Sequence, residues 1–219
     1  MNTLAPSDTN RMKDTFRDNA AFFTQQCADL TSIYEDHIGL CVWTPPTCKE
    51  RQQYALALAS QEFHFKQVIE VEDIFSSLDA LPSGTGKLSM QQWIGHLIEM
   101  YATLFGLEQV GVRIAGLKRP MCPRFHVDHV PTRLIHSLYG DGCNWFQSSE
   151  YFNPDKKSEH KLSDWLKQAE SSDTRSIRQA PAGAVVIMKG TKWGEDSLPV
   201  IHRSPQHDQP RLVLTLDFA

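Results

Sequence analysis

The sequence predicts an α+β protein whose mainly helical N-terminal portion, residues 1–109, packs against an antiparallel β-structure formed by residues 110–219. The first observation behind this prediction is that apolar residues recur at helical spacing in the first half of the chain. The second is that short runs rich in β-branched residues, separated by Gly and Pro, follow from residue 110 onward. Many short strands in succession favour an antiparallel barrel or jelly roll over a parallel sheet. We expect the two portions to form one compact unit.

Composition places the chain among globular proteins and excludes several classes of function. Its 219 residues are 41% hydrophobic and 22% charged, and the formal net charge is −4. An acidic chain without a basic segment gives no reason to expect nucleic acid or a membrane as a partner. Residues 1–16 carry no apolar stretch, so we expect neither a secretory signal nor a membrane span, and a cytoplasmic location. Five cysteines without a CxxC pair argue against a disulfide framework.

The first half of the chain is predicted to contain helices and one short strand. A helical lead-in is indicated by apolar residues at roughly helical intervals, namely Phe16, Ala20, Phe23, Cys27 and Leu30. The run IGLCVWTPP, residues 38–46, is a strand candidate that two prolines terminate. A helical pattern resumes through residues 52–69, and the turn residues LPSGTG at 81–86 form a break. A regular apolar stripe then predicts a helix over residues 89–107.

The second half is predicted to consist of strands around one polar insertion. The strand candidates are residues 110–117, 132–140, 183–190, 199–203 and 211–218. The insertion spans residues 147–180, and helical spacing predicts one amphipathic helix in it, across the mouth or side of the barrel. The apolar residues of that helix are Leu162, Trp165, Leu166 and Ala169. Six ionisable residues of mixed sign leave the charge of a substrate open; they are Glu150, Lys156, Lys157, His160, Lys161 and Arg175.

The segment RFHVDH, residues 124–129, contains a candidate metal site. His126 and Asp128 are two residues apart, so both side chains point to one face if the segment is extended. His202, in a strand-like segment, is the candidate for a third ligand. Two imidazoles and one carboxylate on one face of a metal leave other positions open, an arrangement suited to ferrous iron and oxygen chemistry. The sequence therefore predicts that these three residues bind a metal ion and are catalytic.

Arg211 is a candidate binding residue for a carboxylate. It lies nine residues after His202 and begins the strand candidate RLVLTLDF. The intervening SPQHDQP is predicted to be a turn that places the strand of Arg211 beside that of His202. An arginine in that position can bind a carboxylate in a bidentate manner close to the metal.

This pattern resembles the iron(II)- and 2-oxoglutarate-dependent dioxygenases, which carry an HxD motif, a distal histidine and a basic residue before the last core strand. His126, Asp128, His202 and Arg211 match these features in order. The resemblance implies a double-stranded β-helix, a jelly-roll or cupin-like barrel, with Fe(II) and 2-oxoglutarate as cofactors and a reaction of the hydroxylase type. It also implies a hydrogen bond from Tyr139 to the cosubstrate. The substrate, whether a small molecule, a peptide or a nucleobase, is left open.

The chain as a whole resembles the bacterial family DUF1826. The resemblance lies in IGLCVWTPP, in MCPRFHVDHVPTRLIHSLYGDGCNWF and in the ending that contains HR and a later arginine. It covers nearly the whole chain and supports the segment boundaries given above. Members of this family are sometimes encoded beside GTPases of zinc homeostasis, which links them to metal handling but implies no reaction.

Other metal chemistries stay open on the same residues. A zinc- or iron-binding cupin-like protein of metal homeostasis, without catalytic activity, would account for the surplus histidines His129, His136 and His207. A tetrahedral zinc site could combine His126 and Cys122 with His129 and His136, although His129 faces away from His126 if the segment is extended. A metal-dependent hydrolase would share the three predicted ligands and would have no need of Arg211.

A purely structural interpretation is the remaining alternative. In it, His126 and Asp128 cap a turn, and Arg211 pairs with Asp217 or another acid. Two arginines flank the motif and could bind an acidic substrate or form structural ion pairs; they are Arg124 and Arg133.

Overall fold

A computed structural model of the chain describes residues 20–148, 151, 161–194 and 197–219. The helices are α1 (Lys49–Ser60), α2 (Ile74–Leu78), α3 (Lys87–Phe105) and α4 (Leu162–Ser171). Short 3-10 helices span Cys27–Tyr34, Val71–Asp73 and Thr174–Ser176. The strands are β1 (Ala21–Thr24), β2 (Leu40–Trp43), β3 (His64–Glu70), β4 (Gln109–Leu117), β5 (Thr132–Tyr139), β6 (Asn144–Phe146), β7 (Ile177–Gln179), β8 (Val185–Lys189), β9 (His202–Arg203) and β10 (Arg211–Phe218).

Seven strands form one large sheet in the order β1-β2-β8-β5-β10-β4-β3. The pairing of β1 with β2 is parallel, and the other pairings in this sheet are antiparallel. The protein is therefore a mixed α+β fold built on a large sheet. The strands β1, β2 and β3 precede residue 110 and lie toward the two edges of the sheet. Of these three, only β2 was predicted as a strand.

The two faces of the large sheet are covered by different layers. Leu214 of β10 belongs to a core that contains residues of α1, α2 and α3, so this face packs against the helices. Its neighbour Val213 belongs to a second core on the opposite face, because side chains alternate along a strand. Trp145 of β6 lies in that second core, which the large sheet shares with the smaller sheet β7-β6-β9.

Helix α4 packs on the outer face of the smaller sheet. Phe146, the neighbour of Trp145, points outward and clusters with Trp165 and Ala169 of α4. Phe125 and Ile201 complete the buried part of this cluster together with Tyr151. The amphipathic helix predicted in the insertion is thus confirmed, and it covers the side of the small sheet that faces away from the large one.

Several predicted elements are confirmed. The helix predicted over residues 89–107 is α3, which ends where Gly106 adopts a positive φ of 66° that suits glycine. The strands β2, β5, β8 and β10 lie within the segments predicted for them, and β4 begins one residue before its predicted segment. The candidate at 199–203 forms a strand only at its last two residues, as β9.

The predicted helical lead-in is wrong where the structure describes it. Residues 21–24 form β1, and residues 27–34 form a 3-10 helix. Leu30 and Ile33 are the buried residues of that helix, and their spacing of three suits a 3-10 turn. Phe16 lies outside the described residues.

The helix predicted over residues 52–69 ends early. Helix α1 ends at Ser60, and the edge strand β3 follows from His64. Phe65 and Ile69 are buried, whereas Gln67, which lies between them on the same face of the strand, is exposed. The buried residues are therefore four positions apart, which is the spacing of a helix. This spacing explains why the sequence predicted a helix where the structure has a strand.

Part of the predicted insertion lies outside the described residues, namely 149–150 and 152–160. The rim candidates Glu150, Lys156, Lys157 and His160 fall there. In the part of the chain that the structure describes, no helix combines the length and the hydropathy needed to cross a membrane.

Candidate metal centre

The candidate metal centre lies where the HxD segment meets β9. The backbones of His126 and His202 form an isolated antiparallel bridge, in which each N–H donates to the carbonyl oxygen of the other at 2.9 Å. His202 also pairs with Trp145 of β6, whose side chain lies in the core between the sheets. Residues paired directly across a sheet share a face, so both imidazoles point into the space between the two sheets.

Three ligand atoms converge in this space. Nε2 of His202 lies 3.3 Å from Oδ2 of Asp128, and Nε2 of His126 lies 3.9 Å from Oδ1 of the same carboxylate. One ligand atom from each of the three residues lies within 4.8 Å of the others. No other group of three or more His, Cys, Asp and Glu side chains among the described residues converges in this way. The structure thus brings together the three residues predicted as metal ligands.

The hydrogen bonds of the two imidazoles leave their Nε2 atoms free. Nδ1 of His126 donates to the carbonyl oxygen of Arg124 at 3.0 Å, and Nδ1 of His202 donates to that of Val200 at 3.1 Å. In its neutral form each ring therefore carries its proton on Nδ1 and an electron pair on Nε2. These electron pairs face the carboxylate of Asp128, whose buried Oδ2 accepts no hydrogen bond. A cation between these lone pairs would stabilise them, so the residues fit a metal ion.

An ion-pair network holds the carboxylate of Asp128. Nη1 of Arg133 donates to Oδ1 of Asp128 at 2.6 Å, while its Nε and Nη2 donate to the two oxygens of Asp217 at 2.6 and 2.8 Å. Burial alone would raise the pKa of Asp128, but His202 and Arg133 outweigh burial and hold this pKa below its usual value. Burial and the neighbouring His202 lower the pKa of His126, which favours the neutral imidazole that metals bind.

This network settles two alternatives from the sequence. The interpretation of Arg133 as a structural ion pair is confirmed, because its guanidinium bridges two carboxylates. The suggested pairing of Arg211 with Asp217 is wrong, because Asp217 pairs with Arg133 instead.

The loop after β8 fixes the backbone at Asp128. The N–H of Thr191 donates to the carbonyl oxygen of Asp128 at 2.9 Å, and the N–H of Lys192 donates to that of Val130 at 3.1 Å. Gly190 lies against these two carbonyl oxygens so closely that a Cβ atom there would clash with both. The position therefore requires glycine for close approach of two backbones.

Arg211 is buried without an ion-pair partner among the described residues. Its residue exposure is 2%. Its Nε donates to the carbonyl oxygen of Asp141 at 2.6 Å, and its Nη2 donates to the hydroxyl of Ser137 at 3.0 Å. Gly140, with a φ of 86°, lets the turn lie directly against the Arg211 side chain. Burial lowers the pKa of Arg211, although Cys143 and Asp141 partly oppose this effect.

Arg211 and the two histidines line one cavity of about 60 Å³. Its apolar walls include Ile135 and Val213 of the large sheet. The predicted arrangement, in which the strand of Arg211 lies beside that of His202, is wrong because β9 and β10 are in different sheets. Residues 204–210 cross from the small sheet to the large one, so Arg211 reaches the cavity from the opposite sheet to His202.

Tyr139 lies on the other side of the large sheet. Ser137 pairs with Val213 and Tyr139 pairs with Leu212, so a bulge at Leu138 changes the face to which the strand end points. Tyr139 packs against the core on the helical face and is not among the residues that line the cavity. The predicted contact between Tyr139 and a cosubstrate is therefore not supported by its position.

The surplus histidines lie apart from the three ligands. A ring nitrogen of His129 contacts Thr191, and one of His207 contacts Gln209. The two ring nitrogens of His136 contact Trp93 and Ala184. Cys122 lines the cavity but does not belong to the converging group. The tetrahedral zinc site suggested as an alternative therefore finds no support in the arrangement of the described residues.

Sequence reasoning missed the residues that orient the ligands and Arg211. Ser137 was not singled out, and Arg133 was not connected to Asp217, its partner 84 positions later in the chain. No local motif signals such a pair. The sequence offered only one signal, which was a positive charge on the predicted strand of Arg133 and a negative charge on that of Asp217. The structure shows that these two strands are neighbours.

Comparison with solved structures finds similar folds at low identity. The structure of a rice dioxygenase for auxin oxidation matches with a TM-score of 0.48 and 9% identity, over 90% of this chain and 82% of that one. A Pseudomonas putida prolyl-4-hydroxylase matches with a TM-score of 0.44 and 12% identity, over 88% and 98%. The Kdo hydroxylase KdoO, a non-heme Fe(II) α-ketoglutarate-dependent dioxygenase in complex with cobalt(II), matches with a TM-score of 0.45 and 13% identity, over 90% and 88%.

Comparison with known sequences gives the family. Among curated proteins no match to the chain is found. The family model DUF1826, described as a protein of unknown function, matches residues 24–217. This match spans most of the chain and agrees with the resemblance seen in the sequence. The chain therefore belongs to the DUF1826 family.

Proposed function

We propose that the protein is an Fe(II)- and 2-oxoglutarate-dependent oxygenase of the hydroxylase type, with a substrate still to be identified. The observation that carries this proposal is the buried guanidinium of Arg211 in the same cavity as His126 and His202. A buried cation without a carboxylate partner is unfavourable, and a bound carboxylate would neutralise it through charge-assisted hydrogen bonds. A metal-dependent hydrolase has no need of this cation.

The three candidate ligands would hold the iron. Two neutral imidazoles and one carboxylate are the donor set of non-heme ferrous oxygenases, and the free Nε2 atoms and the orphaned Oδ2 of Asp128 fit that role. When bound, the iron and 2-oxoglutarate would activate dioxygen, which is the oxidant for a substrate C–H bond. The chain itself orients the cosubstrate through Arg211, while Ile135 and Val213 give the cavity walls that exclude water.

We also propose that the two sheets form a double-stranded β-helix. This proposal is supported by the core that the large sheet shares with the smaller one and by the position of the candidate ligands between them. In such a fold, ligands from one sheet and a cosubstrate-binding residue from the other meet across the interior.

An anaerobic titration tests the proposed function. Metal-free protein is titrated with Fe(II) and then with 2-oxoglutarate, and the visible metal-to-ligand charge-transfer band is followed. We expect the band in the wild type. We expect R211A to need about 10- to 100-fold more 2-oxoglutarate, because hydrogen bonds to charged groups contribute about 1.5 to 3 kcal/mol. R175A is the matched control, because Arg175 is exposed and pairs only with Asp173 among the described residues.

Two outcomes would contradict the proposal. A cosubstrate affinity in R211A equal to that of R175A would remove Arg211 from the site. No band in the wild type, together with tight zinc binding that D128A abolishes, would favour the alternative of a zinc-binding protein of metal homeostasis without oxygenase activity.

A further inference from the structure

We infer that Glu170 of α4 is a positioning residue that holds the two histidine-bearing segments of the metal centre together from their outer side. The inference rests on the proposed function, since it concerns the same metal centre. It assigns a role to the insertion that the sequence left undefined. Glu170 itself touches neither the candidate ligands nor the cavity.

The first step is the position of the residues next to the two histidines. Phe125 precedes His126, and Arg203 follows His202. Side chains alternate along extended segments, so Phe125 and Arg203 lie on the outer face while the imidazoles point inward. The guanidinium carbon of Arg203 lies 4.2 Å from the centre of the Phe125 ring, which joins the two segments by a cation–π contact.

The second step is that one carboxylate reaches both segments. The backbone N–H of Phe125 donates to Oε1 of Glu170 at 2.6 Å. Oε2 of Glu170 lies 3.8 Å from Nη1 of Arg203. Glu170 therefore contacts the immediate neighbour of His126 through one oxygen and the immediate neighbour of His202 through the other.

The third step is that the helix holds Glu170 in a fixed position. Ala169 and Trp165 of α4 are buried in the cluster that contains Phe125 and Ile201. The position of Glu170 is thus set by apolar packing on the same segments that it contacts. Asp164 differs, because it pairs with the exposed Lys167 one helical turn away at 3.7 Å.

The consequence concerns metal affinity. Without Glu170, the N–H of Phe125 loses its acceptor and Arg203 loses its carboxylate, so the bridge between the two histidines is less constrained. Partners that orient metal ligands without touching the metal typically change its affinity by about 10- to 100-fold. We therefore expect loss of Glu170 to act on the metal centre from a distance.

The experiment compares E170A and E170Q with D164A, which removes a carboxylate from the same helix. Co(II) is titrated into each metal-free protein, and its visible spectrum is recorded. Hydrogen exchange at Phe125 and His126 is measured without metal. We expect E170A to bind Co(II) about tenfold more weakly with an altered spectrum, and to exchange faster at both amides. E170Q keeps an acceptor for the Phe125 N–H and should recover most of both properties, while D164A should match the wild type.

The outcomes separate this inference from the proposed function. If E170A matches D164A in Co(II) affinity, spectrum and exchange, the inference is overturned and the metal centre stands. If the wild type binds no Co(II), the metal centre itself fails, and the exchange rates still support or overturn the contact made by Glu170. If E170A does not fold, R203A takes its place, because it removes the cation that contacts both Glu170 and the Phe125 ring. An R203A protein that matches D164A in Co(II) affinity, spectrum and exchange overturns the inference.

Discussion

Arg133 connects the candidate metal centre to the large sheet at the scale of single residues. Its guanidinium donates to Asp128 on one side and to both oxygens of Asp217 on the other. With Oδ1 of Asp128 engaged in this way, Oδ2 accepts no hydrogen bond and lies 3.3 Å from Nε2 of His202. Arg133 therefore orients the carboxylate of Asp128, although it is not part of the HxD motif.

Replacement of Arg133 should weaken both the fold and the metal centre. We expect R133Q to lower the free energy of unfolding by about 3 to 5 kcal/mol, because two partly buried carboxylates lose their cation. We also expect about 10- to 100-fold weaker Co(II) binding by the folded protein, because Asp128 loses its orienting partner. Urea unfolding and Co(II) titration measure the two effects. R113Q, which changes an exposed arginine of β4, is the control, and equal behaviour of the two variants would contradict the prediction.

His136 should make stability depend on pH. Its Nδ1 donates to the carbonyl oxygen of Ala184, its Nε2 accepts from Trp93, and burial lowers its pKa to about 4. An unfolded histidine has a pKa of about 6.5, so the unfolded state binds more protons between these two values. Stability should therefore fall by up to about 3 kcal/mol as the pH falls from 6.5 to 4.

The measurement is chemical unfolding across this pH range for the wild type and H136Q. The glutamine can still accept and donate a hydrogen bond but does not titrate, so we expect a shallower slope in the variant. His126 contributes in the same direction, and the difference between the two slopes isolates His136. Identical slopes would show that His136 is not the source of the dependence.

At the scale of elements, periodic segments were predictable and segments shaped by their neighbours were not. Helix α3 and strand β10 follow from unbroken patterns of apolar residues, and the structure has them within two residues of the predicted ends. Strand β3 was mistaken for helix, because an edge strand need not bury every second residue. His126 and Asp128 could be named from their spacing, and His202 from its strand-like segment. The contact between Phe125 and Glu170 depends on how α4 docks and has no signature in the sequence.

The loop after β8 should be sensitive to a single methyl group. We expect G190A to lower the free energy of unfolding by about 1 to 3 kcal/mol, because a Cβ atom at this position clashes with the carbonyl oxygens of Val130 and Asp128. We also expect weaker Co(II) binding, since relief of the clash moves the backbone of Asp128. G194A is the matched control in the same loop, where a Cβ atom meets nothing within 4 Å. Unfolding and Co(II) titrations that do not distinguish the two variants would refute this role of Gly190.

At the scale of the whole molecule, the large sheet separates a core that stabilises the fold from a core that contains the site. Leu214 and Val213 are adjacent on β10 but belong to different cores. The helical face contributes most of the buried apolar residues, while the other face ends at the cavity of Arg211 and the two histidines. Substitutions on the two faces should therefore have different effects.

We expect L214A to lower the free energy of unfolding by about 2 to 5 kcal/mol and to leave cosubstrate affinity unchanged in the folded protein. V213A removes less apolar volume and should cost less stability, but it changes a wall of the cavity. We expect it to weaken 2-oxoglutarate binding. Thermal or urea unfolding, together with the charge-transfer titration, compares the two variants directly. A change of cosubstrate affinity in L214A but not in V213A would contradict this division of the molecule.

The interior position of β10 bears on how the protein is made. During translation, β4 and β5 leave the ribosome well before β10, the strand that pairs with both of them. Until β10 follows, the nascent chain has two unpaired strand edges. Arg211 and Asp217 also arrive with β10, and Arg133 has no partner at Asp217 until then. A metal ion would therefore meet an incomplete centre during translation, and we expect the metal to be loaded only after β10 has emerged and inserted.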